Sequence, residues 1–163
     1  MFKKIKRELS CLGGLKVSLI VFVAAAEVAG ILTWLNCGNL TVFRRLLRFP
    51  PFSAPIPVTF FLWIALYAIF GVLSALTFKM EGCRCRPLFS ALAGYFLALF
   101  WCPLFFGGRF AVALVSLLLS LLAVILTAAR AGRYSSLAFA LCAVLAVAEL
   151  YFVYISAGVA ILN

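Results

Sequence analysis

Long apolar runs, broken by short basic or Pro- and Gly-containing segments, make up most of the chain. A helix needs about 20 residues to cross roughly 30 Å of hydrocarbon at 1.5 Å per residue. Five runs reach that length: residues 15–36, 57–78, 87–106, 109–129 and 135–161. Pro57 and Pro87 suit a first helical turn, where the N–H that proline lacks would be unpaired in any case. Gly107-Gly108 offers a tight turn between the third and fourth runs. The first connection, residues 37–56, is the long one; it carries Arg44, Arg45 and Arg48, then Pro50, Pro51 and Pro55. Such a segment predicts an ordered, partly extended lid over one membrane face. The whole pattern predicts an all-α integral membrane protein, a bundle of five transmembrane helices forming a single domain over residues 1–163. No repeat of 20 to 50 residues is visible, and an odd number of spans argues against the inverted halves of many transporters.

Composition excludes the soluble alternatives. Apolar residues are 67% of the chain, charged residues 11%, and the mean hydropathy is +1.25; soluble domains are roughly half apolar and a quarter charged. Too little polar surface remains to coat a soluble fold, so soluble enzymes and free nucleic-acid-binding domains are ruled out. The net charge of +10 marks membrane topology instead, because the cations fall between the apolar runs. Lys3, Lys4, Lys6, Arg7, Lys16, Lys79, Arg84, Arg86, Arg130 and Arg133 share the N-terminal side, against Arg44, Arg45, Arg48 and Arg109 on the other. The positive-inside rule then predicts a cytoplasmic N-terminus. Lys3 to Arg7 with Ala24-Ala25-Ala26 could be read as a secretory signal, but the apolar run continues to Trp34, too long for a signal core. A basic start leading into the first span points to a bacterial plasma membrane.

The available chemistry is narrow. Histidine is absent and the only carboxylates are Glu8, Glu27, Glu81 and Glu149, which excludes His-based acid/base catalysis and His-ligated metals or haem. Glu27 and Glu149 lie near the middle of their spans, where a charge costs about 3 kcal/mol. Each is therefore either protonated and hydrogen-bonded to a neighbouring helix or, for Glu149 in particular, in contact with a polar atom of an otherwise apolar ligand. Cys83-Arg-Cys85, without a second pair or a histidine, is a weak metal signal, and no metal site is expected. Cys102 and Cys142, inside spans, read as small apolar side chains. Trp34, at a predicted boundary, reads as an interfacial anchor. For Trp63 and Trp101 helix packing competes with stacking on a flat ligand. Gly71 with Ala75 and Gly94 with Ala98 provide small-residue faces for close helix contact.

Two motifs carry a family resemblance. Phe49-Pro-Pro-Phe-Ser-Ala-Pro55 followed by Trp63-Ile-Ala-Leu-Tyr67 and Gly71, and Trp101-Cys-Pro103-Leu-Phe105-Phe106-Gly107-Gly-Arg109 with Ala113-Leu-Val115 after it, resemble the TspO/MBR family of translocator and tryptophan-rich sensory proteins. The likeness covers essentially all five spans. It implies a five-helix bundle, commonly a homodimer, that binds porphyrin, haem or similar hydrophobic small molecules such as sterols and drugs in a pocket below the first loop. By position, the resemblance assigns that pocket Trp63 and Tyr67 from the second helix and Ala98, Trp101 and Cys102 from the third. From the fifth it assigns Leu141, Leu145, Ala148 and Glu149, with Pro50, Pro51 and Pro55 shaping the lid.

The chain departs from the family pattern at Phe52, Ala54, Ala98 and Leu99, along Leu137-Ala-Phe-Ala-Leu141, and at Glu149 where asparagine is usual. Light-dependent porphyrin breakdown, reported for some members, uses a tryptophan pair, one matching Trp63 and one matching Leu141; without the second, no enzymatic activity and no catalytic residue are expected. Two other classes remain open. A proton-coupled transporter would use Glu27 and Glu149, and a non-catalytic subunit of a membrane complex would fill its pocket with side chains. Membrane lipid is a partner in every case, nucleic acid in none.

Overall fold

The computed structural model describes residues 16–37, 43, 45–79 and 87–163. Among the described residues five long helices form the bundle: α1 Lys16–Leu35, α2 Ile56–Lys79, α3 Pro87–Phe106, α4 Phe110–Ala131 and α5 Ser136–Leu162. All are long and apolar enough to cross a membrane, and they agree with the apolar runs to within two residues. The Cys83-Arg-Cys85 pair, Cys11, Glu8, Glu81, Arg44 and most of the cations that set the predicted orientation (Lys3, Lys4, Lys6, Arg7, Arg84 and Arg86) lie outside the described residues.

Helix ends follow local chemistry. Ser135 caps α5, its side chain accepting the Ala138 N–H at 3.2 Å, as an N-cap serine should. Between α3 and α4 the N–H groups of Gly107, Gly108 and Arg109 return to the Pro103, Phe105 and Leu104 carbonyls. Gly108 takes φ +76° there, a left-handed conformation that costs glycine nothing.

Packing puts α2 against α1, α3 and α5, while α4 runs beside both α3 and α5. The surface and the interior are inverted relative to a soluble bundle. Ile20, Val28 and Leu32 on α1, Phe96 and Phe100 on α3 and Leu122 and Ile125 on α4 face outward, whereas Ser74, Thr77, Ser90, Ser116, Ser120, Thr127 and Ser156 are buried. Hydrocarbon solvates large apolar side chains as well as a core does, so the interior favours small residues and hydroxyls that hydrogen-bond inside the bundle. Thr77 Oγ1 donates to the Leu73 carbonyl at 2.9 Å, and the hydroxyls of Thr127 and Ser90 lie 2.9 Å apart across α3 and α4. A Cβ on Gly71 would stand 2.7 Å from the Val23 Cα, so only glycine lets α1 and α2 come this close.

Two sequence readings need correction. Cys102 is not simply a small apolar side chain; it is disulfide-bonded to Cys37, two residues past α1, with the Cα atoms 6.6 Å apart. Spacing along the chain gave no hint, because 65 residues separate the two. Trp34 is not an interfacial anchor either. It is buried and turned inward against Phe60, Trp63 and Phe106, since the last turn of α1 leans on α2 and α3. Cys142 is free and buried.

Candidate functional site

A cluster of aromatic rings fills the lid end of the bundle, each ring aimed by a contact on another helix. Gly30 on α1 has no side chain to obstruct α2, and a Cβ there would come within 2.6 Å of the Tyr67 ring. One turn along α2, the Trp63 indole N–H donates to the Gly30 carbonyl at 3.2 Å. Trp101 on α3 donates to Ser156 Oγ on α5 at 2.7 Å, and that hydroxyl donates to the Phe152 carbonyl at 2.8 Å. With both indoles held, the rings meet at favourable centroid distances: Trp63 to Trp101 5.0 Å, Trp101 to Phe152 4.9 Å, Trp63 to Phe152 5.6 Å and Trp101 stacked on Phe105 at 5.0 Å.

The lid lies over this cluster and α5 latches it. The Ala54 N–H donates to the Tyr151 hydroxyl at 2.8 Å, the Tyr154 hydroxyl donates to the Pro51 carbonyl, and Asn163 both accepts from the Arg48 N–H and donates to the Arg48 carbonyl at 2.9 Å. Pro50 is seated on Gly158, where a Cβ would come within 2.5 Å of its ring. Residues 50–53 form a turn closed by the Ser53 N–H and the Pro50 carbonyl, with Phe52 at φ +65° and 93% exposed. That geometry is a type II turn, whose third position ordinarily favours glycine. Between lid and cluster lies a cavity of about 30 Å³ bounded by Trp34, Phe43, Phe49, Trp101, Phe105 and Ile155. Because Asn163 makes two of the latch bonds, Asn163→Ala is expected to speed amide hydrogen exchange at residues 48–54 several-fold, consistent with about 1 kcal/mol per lost bond. Unchanged exchange would assign the latch to the tyrosines alone.

Below the aromatic layer several polar and ionisable groups sit near the middles of their helices. Glu149 is the central residue of α5, and Glu27, Tyr67, Tyr95 and Ser120 each fall within two residues of the middle of their own helices, about 3 Å along each helix axis. Ser120 Oγ lies 2.5 Å from Glu149 Oε1 and 2.8 Å from the Gly94 carbonyl. The Tyr67 and Tyr95 rings meet edge to face at 5.6 Å, and Glu27 on α1 is half-buried. A belt of polar groups thus crosses the bundle in the plane of the membrane. Among the described residues no group of three or more His, Cys, Asp or Glu could hold a metal ion.

The family model that matches the sequence, described as the TspO/MBR family, covers residues 18–162. The chain belongs to the TspO/MBR family. No curated protein matches it. TspO/MBR proteins are in general binding and sensory membrane proteins.

The pocket positions that the TspO/MBR resemblance assigns do not converge on one cavity. Trp63 and Trp101 are the centre of the aromatic cluster, and Trp101 alone of the nine also borders the lid cavity. Tyr67 and Glu149 stand in the midplane belt, with Ala98 and Leu145 buried in the bundle core and Cys102 committed to its disulfide. Leu141 is half-buried, and Ala148 opens onto a second space, a groove of about 590 Å³ between α2 and α5 that also touches Leu62, Val144, Tyr151 and Phe152. Of the lid prolines, Pro50 is buried and Pro51 and Pro55 are exposed.

Sequence reasoning missed Phe152, Ser120, Cys37 and the latch residues Tyr151, Tyr154 and Asn163. For Ser120 a signal existed: Ser116, Ser120 and Thr127 recur at helical spacing in an otherwise apolar span and mark its inward face. Phe152 carried no such mark among 17 phenylalanines.

Proposed function

We propose that this TspO/MBR protein is a membrane receptor for flat, largely apolar molecules, with porphyrin or haem as the leading candidates, which it senses, sequesters or moves. It acts as a homodimer in a bacterial plasma membrane with its N-terminus in the cytoplasm. One observation carries the reading: an oriented aromatic cluster of Trp63, Trp101, Phe105 and Phe152 lies under a latched lid. Such rings offer broad π-faces to a planar ligand at little conformational cost.

Ligand sites commonly measure about 300–1,000 Å³, and the lid cavity of about 30 Å³ is far smaller. Binding therefore displaces the lid, the rings or both, and the arrangement described is the closed one. Phe152 separates the ring cluster from the α2–α5 groove, so a molecule dissolved in the bilayer has an approach from the side as well as from the lid. The proposed orientation puts the lid and the Cys37–Cys102 bond on the outer face, where disulfides persist.

Titration of the protein in nanodiscs with protoporphyrin IX, followed by tryptophan quenching, tests the reading. Saturable quenching that weakens in Trp63→Phe supports it; quenching that never saturates overturns it. The filled core favours one second reading, a non-catalytic subunit, which predicts stable co-purification with another membrane protein and no thermal shift on adding porphyrin.

A further inference from the structure

The inner and outer faces of the lid differ in kind. Phe43, Leu47 and Phe49 pack against the core, with the Phe43 ring 5.0 Å from Phe106 and 6.2 Å from Phe110 on either side of the α3–α4 turn. Arg45, Leu46, Arg48 and Phe52 are exposed, and so is Arg109 beside Phe110. Among the described residues the guanidinium groups of these three arginines make no hydrogen bond or ion pair. No side-chain carboxylate offsets them there either: Glu27 and Glu149, the two described ones, are in mid-helix.

Two features of this outer face are not explained by topology. The positive-inside rule disfavours cations on the side away from the N-terminus. Four are nevertheless there (Arg44, Arg45, Arg48 and Arg109), and all are arginine, whereas the N-terminal side mixes five lysines with five arginines. The planar fork of arginine matches paired phosphate oxygens, which the point charge of lysine does not. The other feature is Phe52, a large apolar residue 93% exposed and held at φ +65°, where an L side chain is strained.

Contacts with α5 fix the depth of these groups. The lid runs down that helix: Arg48 is bonded to Asn163, Pro50 is seated on Gly158, Pro51 is bonded to Tyr154 and Ala54 to Tyr151. Gly158, Tyr154 and Tyr151 precede Asn163 by five, nine and twelve residues, which is about 7, 13 and 18 Å along the helix. Phe52, next to Pro51, is therefore about 10 Å deeper than Arg48. One headgroup layer is only about 5–8 Å thick, so a lid with Arg48 among the phosphates has Phe52 among the acyl chains.

We propose that the outer face of the lid docks an anionic phospholipid of the surrounding leaflet, its phosphate held by Arg45 and Arg48 and its acyl chain lying against Phe52. A zwitterionic lipid brings its own ammonium to a face that already carries uncompensated cations, so the surface selects net negative headgroups. Lipid then holds the lid from outside, as Tyr151, Tyr154 and Asn163 hold it from within. The proposal does not depend on the receptor reading.

The test follows amide hydrogen exchange at residues 48–54 of the full chain in nanodiscs of phosphatidylcholine, alone or mixed with phosphatidylglycerol. Phosphatidylglycerol is expected to slow exchange several-fold, the order set by about two cations meeting an anionic surface. The slowing disappears when Arg45→Gln and Arg48→Gln are combined. It survives in Arg130→Gln with Arg133→Gln, an equal loss of exposed charge at the opposite end of α4. Equal exchange in the two lipids, or slowing that the Arg45 and Arg48 variant keeps, overturns the proposal. Slowing by inorganic phosphate added to phosphatidylcholine discs assigns a site for a free anion and also overturns it. Depth is read separately with Phe52→Trp, whose added emission brominated acyl chains are expected to quench and aqueous acrylamide to leave nearly unchanged. The reverse pattern places the ring in water and removes the acyl-chain contact, and the proposal with it.

Discussion

Trp101→Ala is expected to destabilise the protein by about 3 kcal/mol or more, in the range seen when buried aromatic residues are truncated, and to lower its thermal midpoint in detergent accordingly. In a soluble core much of that cost is the transfer of apolar surface to water. Here the surroundings are hydrocarbon, so the cost comes from lost packing and from polar atoms left unpaired. The indole stacks on Phe105, touches Trp63 and Phe152, and holds the Ser156 hydroxyl; alanine removes all four contacts. The space released adds to a cavity that holds about 30 Å³. Trp101→Phe restores most of the ring contacts and gives up the hydrogen bond, so it should fall between the two. A midpoint for the alanine variant equal to that of the unaltered protein would mean that the rings do not support the lid end.

The second large effect is expected at the disulfide. Cys37→Ser and Cys102→Ser should each cost about 2–4 kcal/mol, the usual contribution of a bond that closes a long loop. The double variant should cost no more than either single one, because the same link is lost in all three. A non-reducing peptide map should recover residues 37 and 102 in one cross-linked species. Two free thiols in protein isolated without reductant would remove both the link and this expectation. The link ties the end of α1, where the lid begins, to the middle of the ring cluster on α3. Its loss should therefore be felt most at Trp34 and Phe43, which pack on Phe106 from that side.

How far the sequence could be read depended on the length scale of each feature. The five helices were legible because a bilayer imposes one requirement on every span, a run of about 20 apolar residues, and breakers such as Pro57, Pro87 and Gly107-Gly108 stand where that requirement ends. Contacts between spans were much less legible. In a chain that is 67% apolar, hydrophobicity does not separate lipid-facing from buried positions, so Phe152 in the cluster and Phe139 on the surface look alike. The informative positions are the rare polar and small residues, such as Ser120 and Gly30, whose meaning depends on a partner 29 or 37 residues away. Trp34 and Cys102 were misread for the same reason: each was judged by its depth along one helix, and each is explained by a neighbouring one.

The common depth of Glu27, Tyr95, Tyr67 and Glu149 has an electrical consequence. A membrane potential does about 2.3 kcal/mol of work per 100 mV on a unit charge carried across the whole bilayer, in proportion to the distance moved along the field. A proton passed among these four groups travels sideways, at right angles to that field, and the potential does almost no work on it. These four groups, each near the middle of its helix, do not by themselves form a ladder of sites from one face to the other. A proton shared within the belt therefore stays at one depth, and its exchange among these groups is insensitive to the potential.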